Sequence, residues 1–143
     1  MTLPRLALLT LLLFAGAAPA AAEDDPIAFL RAAYAVGEVS GRSQLREPDR
    51  GNLLSRGLIA LLEKEKGRDF HPFYDGQDWK VTNQTFTVLK RDAATAVVET
   101  RFENFDSSVR LQFDLIREGD AWRIDNIRSP DWFGWSLRRT LGG

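Results

Sequence analysis

Between Val81 and Ile127 four strand-forming runs follow one another, Val81 to Lys90, Ala94 to Phe105, Ser108 to Glu118 and Trp122 to Ile127, with only short polar or glycine-containing links between them. Links this brief force neighbouring strands to run antiparallel, because a parallel partner needs a crossover of about a dozen residues. In the third run Val109, Leu111, Phe113 and Leu115 alternate with Arg110, Gln112 and Asp114, which sends one face to a core and the other to water. The second run repeats the pattern, with Ala96, Val98 and Phe102 set against Glu99, Arg101 and Glu103. Glu118-Gly119-Asp120 then turns the chain so that Trp122 and Ile124 join the same apolar face.

What precedes the strands is helical. Asp25-Pro26 combines a capping carboxylate with proline at the first helical position, and Ile27, Leu30 and Tyr34, flanked by Phe29, Ala33 and Val36, form an apolar stripe ending by Gly41. Gly41 to Gly51, polar and carrying Pro48, reads as a loop. Ser55 caps a second helix with Leu58, Leu61 and Leu62 on its buried side and Glu63 to Lys66 at a solvated end before Gly67; an earlier start at Asp49 is disfavoured by Gly51 and Gly57. Phe70 to Gly76 is an irregular segment anchored by rings. After Ser129-Pro130 a tail holds Trp132, Phe133 and Trp135, and Ser136 to Leu141 can form one or two helical turns. The expected architecture is α+β, with N-terminal helices packed on one face of a curved four-stranded antiparallel sheet.

Residues 1–22 read as a secretory signal peptide: Arg5, an apolar run from Leu6 to Phe14, and a small-residue close at Ala20-Ala21-Ala22. The expected product is therefore one domain, 23–143, working in the periplasm or outside the cell, with no membrane span after cleavage. Cysteine is absent, so neither disulfides nor thiolate-bound metal hold the fold, and there is no lipid-anchoring thiol at the cleavage site. Cleavage removes Arg5 alone from the charged set and takes the formal net charge from −1 to −2. That balance gives no general attraction to nucleic acid or anionic lipid.

Three segments in order carry a family likeness: Gln77-Asp78-Trp79 closing the aromatic loop, Trp122-Arg123-Ile124-Asp125-Asn126-Ile127, and Ser136-Leu137-Arg138-Arg139-Thr140-Leu141. With the export signal and the helix-helix-meander order, the chain resembles the exported bacterial family termed domain of unknown function 3828, of the cystatin-like, nuclear-transport-factor-2-like superfamily. The resemblance implies that fold, a periplasmic setting and a cone-like cavity between helices and sheet; it implies no reaction. His71 stands where a second acid of the loop would be expected, and Asn126 where another Asp is common, which speaks against a carboxylate pair holding a metal.

No cofactor or metal is expected. His71, the single histidine, lacks any nucleophile elbow to serve and reads as a residue bonding a turn. Asp69, Asp75 and Asp78 do not match a calcium loop; Asp75-Gly76 reads as a turn and Asp78 as a pin at the entry to the first strand. Alternation sets Asp125 beside Arg123 on the polar face, within reach of Arg110 or Arg101 for a cross-strand ion pair. Asn83-Gln84-Thr85 matches a glycosylation sequon by coincidence, and Arg138-Arg139 offset a helix dipole. Of the aromatic residues, Trp79 and Trp122 belong inside, whereas Trp132 and Trp135, with Tyr34 and Tyr74, are the candidate ligand-binding residues.

These features favour a non-catalytic module that binds a small apolar ligand or an envelope protein, with an inhibitor or immunity role against a secreted toxin as one form of it. The alternative is a small cavity enzyme, a lyase or isomerase using Asp125 with Tyr34 or Tyr74. The charged outer sheet face favours a monomer over a weak homodimer.

Overall fold

The computed structural model describes residues 24–143. The expected signal peptide lies outside the described residues. Helix α1 spans Pro26–Ser40, with the Asp25 side chain accepting from the Ile27 N–H and Gly41 closing it in the left-handed conformation. The segment around Asp49 forms a separate short helix, α2 (Arg50–Leu53), ended by an extended Leu54 that makes a parallel bridge to Ile124. Helix α3, Arg56–Leu62, starts at Ser55, whose Oγ accepts from the Leu58 N–H.

The sheet follows as an uninterrupted antiparallel meander in the order β1-β2-β3-β4, with β1 Val81–Arg91, β2 Thr95–Asn104, β3 Ser107–Glu118 and β4 Ala121–Arg128. Its inner face pairs Ala96 with Leu115, Val98 with Phe113, Thr100 with Leu111 and Phe102 with Val109. All eight side chains are buried, as the alternation requires. One departure occurs in β4: Asp114 opposes Asn126 while Leu115 opposes Ile124, so Asp125 is the extra residue of a bulge. The bulge shifts the phase of burial from Trp122 and Ile124 to Ile127.

The helices and the Phe70–Gly76 segment close the inner face. Tyr34 of α1 sits at the centre and makes edge-on contacts with Phe73, Tyr74, Phe86, Phe102 and Phe113 at centroid distances of 5.4–6.0 Å. These rings fill the space where the family likeness implies a cone-like cavity, and Tyr34, Phe73, Tyr74 and Phe113 are fully buried there. The chain ends in α4, Leu137–Thr140, capped by Ser136 and seated by the buried Leu137.

Candidate functional site

Neither of the two tyrosines read as ligand contacts faces an opening. The Tyr34 hydroxyl donates to the Phe73 carbonyl at 2.7 Å, and burial raises its pKa well above the ordinary value. The Tyr74 hydroxyl accepts from Gln44 Nε2 at 2.9 Å, its ring stacks on Trp79 at 4.5 Å, and burial pushes its pKa up to about 12. Both are core residues with polar tips satisfied inside. Gly37 makes this possible, because a Cβ there would collide with the Tyr74 hydroxyl. Trp122 is 2% exposed, donates its indole N–H to the Asp24 carbonyl and lies under the Arg117 guanidinium. Trp79 is half-buried.

His71 is likewise committed to internal bonds, although its ring is only partly buried and lines a groove. Its Nδ1 accepts from the Phe73 N–H at 3.3 Å, which assigns the ring proton to Nε2, 3.1 Å from Ser43 Oγ. Burial, helped by the charge of Arg68, lowers its pKa from 6.5 to about 4. Of the carboxylates of the same loop, Asp75, in a left-handed turn at φ 51°, accepts the indole N–H of Trp135, 60 residues along the chain, at 2.8 Å. Among the described residues no group of three or more His, Cys, Asp or Glu side chains is arranged to hold a metal ion.

Asp125 differs from the expectation. As the bulged residue it turns away from Arg101 and Arg110, which pair instead with Glu99 and Asp131. Its Oδ1 accepts from Arg138 Nη2 at 2.6 Å and from Ser55 Oγ at 2.7 Å, and its carbonyl accepts from Arg138 Nε at 2.7 Å. Asn126 beside it receives the Arg138 backbone N–H. Asp125 therefore ties β4 to the start of α3 and to α4, and no hydrogen bond joins it to Tyr34 or Tyr74. The geometry that an acid-base pair needs is not formed.

Trp132 and Phe133 are presented quite differently. They stand 93% and 94% exposed at the tip of the loop between β4 and α4. The base of the loop is stitched: Ser129 N–H donates to the Trp135 carbonyl, Gly134 N–H to the Asp131 carbonyl, and Arg128 bridges to Ser136. A Cβ at Gly134 would collide with the carbonyl oxygens of Ser129 and Asp131, so only glycine permits so tight a turn. Arg110 holds Asp131 at 2.7 Å, and half-buried Trp135 packs edge-on against Phe70 while bonding Asp75. Trp135 is thus the anchor of the tip, and Phe133 joins Trp132 as its exposed pair. Phe133 is absent from the sequence-based candidates, although its position between Trp132 and the turn glycine was the available signal.

No family model matches the chain, and no curated protein does. Two solved structures are similar. A chain of the type VI native effector–immunity complex Tae3–Tai3 from Ralstonia pickettii has 20% identity and a TM-score of 0.50, covering 80% of this chain and 97% of that one. The likeness is one of fold. A phospholipid-binding protein from Ralstonia solanacearum, solved with a phospholipid, has 18% identity and a TM-score of 0.35 over 85% of this chain and 75% of that one, too distant to inform the site. Among the described residues no helix is long and apolar enough to cross a membrane.

Proposed function

We propose that this chain is an exported binding module that grips a protein partner through Trp132 and Phe133. The observation that carries the reading is two adjacent large aromatic side chains held almost wholly in solvent on a loop whose backbone is pinned at its base. Exposing them has no benefit to folding, whereas paired aromatic anchors on a pre-organised turn are what binding hot spots are made of. A projecting tip fits a pocket in another protein, since small ligands are taken up in concave sites.

Export to the periplasm is part of the proposal, supported by the order of residues in 1–22. Membership of the cystatin-like, nuclear-transport-factor-2-like superfamily is likewise proposed, on the helix-helix-meander order and the three quoted segments. An inhibitory role against a toxin is one form the partnership can take, in keeping with the fold shared with a chain of an effector–immunity complex. The enzyme alternative has no support from Asp125, which is engaged by Ser55 and Arg138, or from Tyr34 and Tyr74, which are buried.

The test is a partner identified by cross-linking in the native envelope and then titrated against the purified protein. Replacing Trp132 and Phe133 together by Ala is expected to weaken binding by about thirtyfold or more, with unchanged circular dichroism and melting temperature. Equal affinity of the doubly substituted protein would end this reading.

A further inference from the structure

Away from the aromatic tip, a groove of about 690 Å³ runs between the loop after α1, the end of α3 and the aromatic segment. Arg46, Arg50 and Arg68 line it together with two carboxylates, Glu65 and Asp69, and Arg50 is already paired with Glu47 and Glu63 beside the groove. Leu45, Leu62, Phe70 and Trp79 supply its apolar part.

Arg68 is the unusual member. Its side chain is only 9% exposed, yet Nε and Nη1 have no hydrogen-bond partner. Nη2 alone is engaged, by Glu65 Oε1 at 2.6 Å, while the guanidinium lies 5.4 Å from the Phe70 ring centre. A guanidinium offers five donors in a planar fork, and leaving most of them buried and unmet is costly. Arg46, on the groove wall, is exposed and makes no ion pair among the described residues. Glu65 occupies one arm of the fork and is tethered only three residues away, so it can swing to water when another carboxylate takes its place.

We infer that this groove binds a small monocarboxylate with an apolar body, its carboxylate replacing Glu65 on the Arg68 fork and its body lying against Phe70 and Trp79. Exchange of carboxylate for carboxylate keeps the charge balance of the groove while meeting donors that Glu65 leaves unmet. This site is separate from the partner-binding tip, to which the Phe70–Trp135 contact links it.

Nitrogen-15 resonances of the arginine Nε–H and tryptophan indole groups in the purified protein, titrated with phenylacetate, test it. The Arg68 and Trp79 signals are expected to move saturably, with phenylacetamide and inorganic phosphate without effect. Arg68→Met is expected to weaken binding by about tenfold or more, and Glu65→Gln to tighten it, since the internal competitor is weakened. No saturable movement, equal binding of phenylacetamide, saturation by phosphate alone, or phenylacetate binding that survives Arg68→Met would each overturn the inference. Should Arg68→Met fail to fold, Glu65→Gln decides: a tighter titration supports the site, and an unchanged or weaker one overturns it.

Discussion

His71 shows how one side chain couples sequence, burial and pH. Its neutral ring accepts the Phe73 N–H and packs against Phe73, Tyr74 and Trp79, so protonation would remove an acceptor and bury a charge. The folded pKa of about 4 lies below the ordinary 6.5, so between those values the unfolded chain binds the proton and the folded one does not. Stability from this group is therefore complete above pH 6.5 and is lost as pH falls toward 4. The loss is expected to reach about 2–3 kcal/mol, read as a falling urea midpoint that flattens in His71→Gln; a parent and variant with parallel pH profiles would refute it. That His71 bonds a turn was legible from its neighbour Pro72. Its depth was not, because Ser43 reaches it from 28 residues away.

Among the elements, the four strands, α1, the Ser55 cap and the helical turn between Ser136 and Leu141 follow directly from local pattern, since alternation and capping are decided within a few residues. The β4 bulge is where that reasoning stops working. Strict alternation assigns Asp125 to the outer face, yet the spacing Trp122, Ile124, Ile127 is two and then three, and only an extra residue buries all three. The bulge aims Asp125 at Ser55 and Arg138, joining three elements at one carboxylate. Ser55→Ala is expected to cost about 1–3 kcal/mol, because the α3 cap and the Asp125 bond vanish together. Combining it with Arg138→Met strips Asp125, 26% exposed in the parent protein, of both side-chain partners. The double change should thus exceed the sum of the single ones by about 1 kcal/mol in urea unfolding. Strict additivity would show that the junction does not act as a unit.

Over the whole molecule, a filled aromatic core and a polar outer sheet face set the proposed recognition in the loop between β4 and α4. The outer face is laced by Arg128 with Asp114, by Gln112 with Glu99 and by Asn126 with Asp114, an arrangement that suits water better than a second sheet. The Trp132-Phe133 tip is held by the tail latch and not by that core: Trp135 joins it to Asp75 and Phe70, and α4 joins it to β4. Which of the tail aromatics points outward was not legible in sequence, because Trp132 and Trp135 differ only in what a loop 60 residues away offers them. Trp135→Phe keeps a ring against Phe70 and removes the bond to Asp75, so global stability is expected to fall by only about 0.5–1.5 kcal/mol. Local opening of the tip should rise more than global unfolding does, since few other contacts restrain it. Limited chymotrypsin digestion reads that opening directly, as faster cleavage after Trp132 and Phe133 at a temperature where circular dichroism is unchanged. Cleavage at the parental rate would mean that the stitched base alone fixes the tip, and that the pre-organisation resides in Ser129, Asp131 and Gly134.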